Sequence, residues 1–134
     1  MSDLRTGRHC VFDLNIHLVF VTKYRRSIFT AEHLSFMEEV ARKVCLDFGA
    51  ELREMNGEQN HIHLLVNYPP KISVSALVNS LKGVTSRNLR VRFPELESAY
   101  HQRQLWSPSY FAASCGEAPL EKLKKYIEDQ NRPA

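Results

Sequence analysis

Hydrophobic and polar positions follow two different periods along the chain, and each change of period predicts a new element. Residues 12–22 are mostly apolar and rich in β-formers, which predicts a central strand buried on both faces. After Thr30, which can act as an N-cap, apolar residues recur at helical spacing as far as Gly49, which supplies a stop signal. Residues 50–57 alternate apolar and polar positions and lead through a turn into an apolar run at 61–67. These two segments predict an antiparallel hairpin.

The second half of the chain predicts a further helix, a strand and a last helix. Ser73 or Ser75 can cap the first of these helices. Residues 106–114 are aromatic and extended, but Pro108 confines them to a sheet edge or a bulge. The last helix is predicted over residues 119–131.

The resulting order is strand, helix, strand, strand, helix, strand, helix. It predicts an α/β (α+β) fold of the ferredoxin-like βαββαβ type, with an antiparallel sheet and one additional C-terminal helix. The chain has 134 residues and no linker-like stretch, so we expect a single domain with its core over residues 10–114. This fold hosts many functions and does not indicate one by itself.

Composition excludes several classes of protein. The apolar and charged fractions, 43% and 25%, are those of ordinary globular proteins. No apolar run approaches the ~20 residues that span a bilayer, so no membrane association is expected. The N-terminal segment lacks an apolar signal core, which indicates a cytoplasmic protein. Cys10, Cys45 and Cys115 are far apart and odd in number, and we interpret them as reduced packing residues.

The run at 60–66 contains two histidines, His61 and His63, separated by one residue. Alternate side chains of a strand share a face, so both imidazoles project from one side while Ile62 and Leu64 project from the other. Two imidazoles on one face of a rigid element are half of a metal site. The alternative is that one histidine is solvated and the other caps a sheet edge.

Basic residues are concentrated in two stretches, although the formal net charge is only +3. Basic clusters interleaved with aromatic residues suit phosphate backbones and stacked bases. The alternative is that these charges solvate helix faces. The candidate DNA-binding residues of the two stretches are Lys23, Arg25, Arg26, Lys82, Arg87 and Arg90.

The predicted last helix places Lys122, Tyr126 and Gln130 on one stripe, about a quarter-turn from its core-facing stripe. Tyr126 and Gln130 are one turn apart, so both side chains can reach the same small volume. The alternative is that Tyr126 is a boundary residue whose hydroxyl lies in water. Lys122 could contact a phosphate or be solvated, and the sequence favours neither interpretation.

The histidine pair and the tyrosine helix together indicate phosphoryl chemistry. A phenol, with an ordinary pKa of ~10, is a poor nucleophile unless a cation stabilises the phenolate or a metal polarises the electrophile. Two imidazoles and an amide oxygen would hold a divalent ion and leave positions open for phosphate oxygens. The residues therefore support a metal-assisted attack of a tyrosine on a phosphodiester, which gives a covalent phosphotyrosine.

Five segments, in this order along the chain, carry a resemblance to a known family: 17–26, 60–66, 81–87, 105–111 and 126–130. They include the sequences HLVFVTKYRR, NHIHLLV and YIEDQ. The chain resembles the single-tyrosine, His-hydrophobe-His transposases of the smallest bacterial insertion sequences, and the resemblance covers nearly its whole length.

The resemblance implies a role for each matching residue. Tyr126 is expected to attack one DNA strand, to become joined to the 5′ phosphate and to free a 3′ hydroxyl. His61, His63 and Gln130 are expected to hold Mg²⁺ or Mn²⁺. Family members act on single-stranded DNA, recognise imperfect hairpins at the ends of the element, and work as dimers. In their active form, the tyrosine helix of one subunit completes the metal site of the other, and Gly116 could serve as a hinge for such an exchange.

The other histidines and the aromatic residues are given structural roles. We expect His17, on the first long strand, to be a hydrogen-bonded structural histidine, and His9, His33 and His101 to lie at the surface. Trp106, Tyr110 and Phe111 could stack on bases, but core and dimer packing is the preferred interpretation.

Two other functions are compatible with parts of the sequence. The first is a non-catalytic nucleic-acid-binding module of ferredoxin-like fold, which would leave the paired histidines without a purpose and should carry an aromatic RNP pattern that this chain lacks. The second is a host-adapted relative that keeps the chemistry but processes genomic hairpins. Hairpins flanking the gene would separate the second function from that of a mobile transposase.

Overall fold

An antiparallel sheet of four strands forms the centre of the molecule, in a computed structural model that describes residues 4–100, 102–114 and 126–129. The strands are β1 (Arg5–Thr6), β2 (Val11–Phe12), β3 (Leu14–Val21), β4 (Glu51–Glu58), β5 (His61–Tyr68) and β6 (Phe111–Ser114). The helices are α1 (Ala31–Asp47) and α2 (Val74–Arg92), with 3₁₀ turns at Lys23–Arg25 and Pro94–Ala99. The order in the sheet is β4-β5-β3-β6, and β1 and β2 form a separate ribbon. This arrangement confirms the predicted ferredoxin-like βαββαβ fold.

Local signals in the sequence set the limits of α1. Thr30 is the N-cap, and its hydroxyl accepts a hydrogen bond from the backbone of His33, whose ring in turn accepts one from the backbone of Thr30. After the helix, Gly49 adopts a φ of +73°, the left-handed conformation that glycine tolerates best. Both ends of the helix were therefore predicted correctly.

The surface position predicted for His33 is wrong, and this capping contact explains why. The ring of His33 is buried, with 6% of the residue exposed, and packs edge-on against Phe93 at 4.6 Å between centroids. A histidine at this third helical position can bond back to the N-cap, which draws its ring against the neighbouring aromatic residue. His9 is exposed, as predicted, and His101 lies outside the described residues.

One face of the sheet packs against the two helices and forms the main core. Alternate residues of β3 and β5, among them Leu18, Phe20, Ile62 and Leu64, are fully buried together with helix residues such as Met37. The strand period of two then places the intervening residues of both strands on the opposite face. That second face carries the histidines of β5.

Trp106 explains why β6 is shorter than the predicted strand. Its ring is buried against Phe20 and Phe29, with centroids 5.7 and 5.5 Å away, and its Nε1–H donates to Thr85 Oγ1 at 3.1 Å. Trp106 also forms an isolated antiparallel bridge with Thr22, but the chain then leaves the sheet, and continuous pairing with β3 begins only at Phe111. The predicted edge position of the strand is confirmed, because β6 is the last strand of the sheet.

The cysteines differ from one another in their surroundings. Cys45 is buried in the core, and this burial raises the pKa of its thiol to about 12, which suits an inert packing residue. Cys10 is exposed, so the interpretation of this residue as a packing cysteine is wrong. Its backbone carbonyl accepts a hydrogen bond from Gly7 within the turn between β1 and β2. Cys115 lies outside the described residues.

Only part of the predicted last helix is described. Residues 126–129 are helical, and residues 115–125 and 130–134 are outside the described part of the chain, together with the predicted hinge at Gly116. Among the residues that the structure describes, no helix is both long and apolar enough to cross a bilayer.

Candidate active site

The two histidines of β5 lie side by side on the sheet face away from the helices. In the strand register, His61 is opposite Val21 of β3, and His63 is opposite Val19. Both imidazoles are half-buried, whereas Ile62 between them is fully buried on the helix side. The predicted shared face of the two histidines is thus present, and the edge-capping alternative does not apply because β5 is an inner strand.

Each of these imidazoles has one ring nitrogen engaged by a neighbour. His61 Nδ1 lies 2.9 Å from the side-chain oxygen of Asn60. His63 Nε2 lies 2.9 Å from Nδ1 of His17, and these two rings lie nearly parallel and meet edge to edge, with centroids 5.0 Å apart. His17 is hydrogen-bonded, as expected from its position on a buried strand, but its partner was not foreseen. The contact follows from the pairing of β3 with β5, which brings together residues 46 positions apart.

The surroundings of the pair favour neutral imidazoles. Burial lowers the pKa of His61, and the nearby Glu58 carboxylate opposes this shift. Burial also lowers the pKa of His63, and the neighbouring His17 and, to a smaller extent, His61 lower it further. The Glu54 carboxylate acts in the opposite direction and raises this pKa. A neutral imidazole offers a lone pair, which is the form that binds a metal ion.

This pair offers two of the ligands that a metal site needs. Within the described ranges, no group of three or more His, Cys, Asp or Glu residues is arranged to hold a metal ion. The donor chemistry nevertheless fits a divalent ion whose remaining ligands are an amide oxygen and substrate oxygens, because two neutral imidazoles share one rigid face. Gln130, the predicted third ligand, lies outside the described residues, so its role remains a prediction.

Acidification should destabilise the fold through these two histidines. Their pKa values are lowered in the folded state relative to the ordinary value of ~6.5, so the unfolded chain binds more protons below that pH. We expect the urea concentration at the midpoint of unfolding to decrease when the pH is lowered from 7.5 to 5.5. The double variant His61→Asn/His63→Asn should lose most of this dependence. An equally steep pH dependence in the double variant would contradict the expectation.

Tyr126 lies in the described helical turn and packs against the segment that leads into β6. Its hydroxyl is 2.9 Å from the hydroxyl of Ser109, and its ring is 5.5 Å from that of Phe111, centroid to centroid. Burial raises the pKa of the phenol, and the hydrogen bond with Ser109 acts in the opposite direction. The hydroxyl is therefore protonated and held in place near neutral pH. Ser109 was not among the predicted site residues, because only the tertiary contact reveals its role.

The register of β6 places the tyrosine on the histidine side of the sheet. Phe111, which contacts Tyr126, is paired with Val19, and Val19 is paired with His63 on the other side. Directly paired residues share a face, and two strand spacings amount to roughly 10 Å. The tyrosine thus packs on the same face of its own chain's sheet as the predicted ligands.

Lys82 supports the segment that holds Tyr126. Its ammonium donates to the carbonyl oxygens of Ser107, Pro108 and Ser109 at 2.7, 3.2 and 3.3 Å, and burial lowers its pKa. An ammonium with three carbonyl partners fixes the backbone on both sides of the proline. Lys82 is thus connected to the tyrosine through Ser109, whose hydroxyl contacts that of Tyr126.

The other predicted DNA-binding residues contact their own chain. Lys23 donates to the side chain of Gln104, Arg25 to the carbonyl of Glu128 on the tyrosine helix, and Arg26 to the carbonyl of Ala99. In addition, Arg90 lies over the ring of Tyr100 and Arg87 lies beside Gly83. Lys122 is outside the described residues. Contacts of these residues with DNA remain predictions.

The aromatic residues of the last strand segment divide between core and site. Trp106 is a core residue, which confirms its packing role, and Tyr110 packs against the same core. Phe111 instead provides the surface on which the tyrosine rests.

Comparison with known proteins gives the same family throughout. Residues 10–130 match the family model described as "Transposase IS200 like". The chain is 30% identical over 129 residues to the ISDra2 transposase TnpA of Deinococcus radiodurans, which covers 96% of this chain and 92% of that protein. It is 32% identical over 130 residues to the transposase for insertion sequence element IS200 of Salmonella typhimurium, which covers 97% and 85%.

Solved structures agree in fold. A crystal structure described as a transposase from Deinococcus radiodurans R1 superposes with a TM-score of 0.88, at 29% identity and covering 96% of this chain and 99% of that one. A REP-associated tyrosine transposase bound to a REP hairpin matches with a TM-score of 0.58, at 14% identity and covering 96% and 69%, and so shows a shared fold alone. The match over residues 10–130 and the two relatives, taken with the histidine pair and the tyrosine on one sheet face, establish that this chain belongs to the family of IS200-like transposases.

Proposed function

We propose that this transposase cleaves and rejoins single-stranded DNA at the ends of an insertion sequence through a covalent bond between Tyr126 and a 5′ phosphate. One observation carries the proposal: the Tyr126 hydroxyl is held by Ser109 beside Phe111, on the sheet face that presents His61 and His63. A nucleophile and a pair of potential metal ligands on one face are what such a reaction requires.

The chemistry assigned to Tyr126 is a transesterification. Its oxygen forms a bond to the phosphorus, the bond from phosphorus to the 3′ oxygen breaks, and that oxygen leaves as a 3′ hydroxyl after gaining a proton. The phenolic proton passes to solvent. Rejoining is the reverse reaction, in which a 3′ hydroxyl attacks the phosphotyrosine and restores the phenol. No external energy source is needed, because one phosphoester bond replaces another in each step.

His61, His63 and Gln130 would hold the divalent ion, Mg²⁺ or Mn²⁺. When bound, this ion would neutralise charge on the non-bridging phosphate oxygens. The protein itself would keep both imidazoles neutral by burial and would hold the phenol near the phosphate through Ser109. The raised pKa of Tyr126 means that the phenol reaches the phosphate protonated and must lose its proton during attack.

A DNA hairpin is the proposed recognition element. The REP-associated tyrosine transposase, which shares this fold, is described as bound to a REP hairpin. In this chain, Arg25 contacts the tyrosine helix and Lys82 contacts the segment that holds Tyr126, and cations of this kind bind phosphate backbones. The residues proposed to contact DNA are Lys23, Arg25, Arg26, Lys82, Arg87, Arg90 and Lys122.

Formation of a protein–DNA adduct tests the proposal directly. The protein is incubated with hairpin-bearing single-stranded DNA and Mg²⁺ and then analysed on a denaturing gel. We expect a slower-migrating covalent species that disappears in chelator and does not form on the fully paired duplex. Hairpin binding with no adduct at any Mg²⁺ or Mn²⁺ concentration would favour the non-catalytic binding module instead. An adduct of equal yield in chelator would refute the metal role.

We also propose that the active enzyme is a homodimer in which each tyrosine helix moves from its own sheet to the equivalent position on the partner subunit and completes the metal site there. Co-expression of a His61→Ala chain with a Tyr126→Phe chain should then restore one complete site in each heterodimer. Random pairing predicts about a quarter of the wild-type cleavage activity. The matched control, His61→Ala with His63→Ala, should show no recovery. If the first mixture is as inactive as this control, each subunit uses its own tyrosine.

A further inference from the structure

We propose that His17 is a positioning residue for the metal site, acting on His63 as Asn60 acts on His61. This inference rests on the proposed function, since it concerns the ion that His61 and His63 would hold. Both predicted ligands have one ring nitrogen within hydrogen-bonding distance of a neighbouring side chain.

Each ligand ring has one nitrogen occupied and one available. Asn60 Oδ1 occupies His61 Nδ1 at 2.9 Å, and His17 Nδ1 occupies His63 Nε2 at 2.9 Å. No described residue forms a hydrogen bond with the remaining nitrogens, His61 Nε2 and His63 Nδ1. Histidine ligands in metal sites are commonly oriented in this way, with one nitrogen on the metal and the other on a fixed neighbour.

The contact between the two rings also determines the tautomer that can bind a metal. A hydrogen bond between two neutral imidazoles needs one donor and one acceptor nitrogen. If His63 Nε2–H donates to His17 Nδ1, the lone pair of His63 Nδ1 is available to the ion. If the direction is reversed, His63 Nδ1 carries the proton and has no lone pair to offer. The first arrangement is therefore the one that a metal site requires, with His17 as the acceptor.

The backbone holds His17 firmly enough for this role. His17 lies on β3, the strand paired on both sides, opposite Leu65 of β5 and opposite Ala113 of β6. A residue on such a strand has little freedom to shift along the sheet. The hydrogen bond joins two nearly parallel rings, at an interplanar angle of 22°, and further restricts rotation of the His63 ring.

Mn²⁺ affinity provides the first test, measured by the paramagnetic resonance signal of free Mn²⁺ in the absence of DNA. His17→Leu keeps apolar bulk on the strand but removes the acceptor, and should weaken Mn²⁺ binding by about tenfold or more. His17→Gln retains an acceptor oxygen and should recover part of the affinity. Asn60→Ala is the matched variant for the other ring and should show a comparable loss. Equal or tighter Mn²⁺ binding by His17→Leu would overturn the proposal.

The tautomer provides a second test that does not depend on a variant. Long-range ¹H–¹⁵N spectra of the metal-free wild-type protein should show His63 protonated on Nε2. Protonation on Nδ1 would overturn the inference. Failure of the proposed function would look different, because the wild-type protein would then bind no Mn²⁺ whatever the tautomer of His63.

Discussion

Replacing Tyr126 by phenylalanine should abolish the covalent DNA adduct and lower strand cleavage by about a thousandfold or more. The phenylalanine ring can keep the contact with Phe111, while the variant loses the oxygen that Ser109 holds at 2.9 Å and that would attack the phosphate. Hairpin binding, measured by gel shift, should therefore be nearly unchanged. A loss of chemistry without a loss of binding is the expected signature of a missing nucleophile.

The matched control is Tyr110→Phe, which removes the hydroxyl of a neighbouring tyrosine that packs against the core. This variant should form the adduct at close to the wild-type rate. An adduct of normal yield from Tyr126→Phe would show that another residue is the nucleophile. An equal loss in both variants would indicate that the segment around β6 is sensitive to substitution in general.

Replacing Trp106 by alanine should lower the free energy of unfolding by about 3–5 kcal/mol. The indole fills the space between Phe20 and Phe29, and its N–H satisfies the buried hydroxyl of Thr85. The alanine variant loses both the packing contacts and the hydrogen bond of the indole. The volume that the ring occupied becomes a cavity between β3 and α2. Urea denaturation followed by circular dichroism measures the change.

Val91→Ala serves as the control, because Val91 is 78% exposed at the end of α2. Its effect should stay within about 0.5 kcal/mol. A loss of less than about 1 kcal/mol for Trp106→Ala would contradict the central packing role of this residue. Trp106 directly precedes the segment that Lys82 and Ser109 connect to the tyrosine, so a destabilised variant should also cleave DNA more slowly.

Local sequence signals predicted those features that depend on neighbouring residues. Thr30 and Gly49 bound α1 because caps and stop signals act within a single turn of helix. His61 and His63 share a face because the period of a strand is two. The surface position predicted for His33 was wrong because its ring takes part in the cap and packs on Phe93. Phe93 is distant in sequence, so local signals do not reveal this contact.

The sequence by itself determined the order of elements, the shared face of the histidine pair and the family to which the chain belongs. Only the tertiary structure decided which neighbours complete the site. His17 meets His63 through the pairing of β3 with β5, and Ser109 meets Tyr126 through the packing of the last helix on β6. The backbone carbonyls that Lys82 contacts are likewise visible only in the tertiary structure, and its contact with DNA stays a prediction. The physical reason is that periodicity and capping are written in residues a few positions apart, whereas strand register and helix docking join residues far apart in the chain.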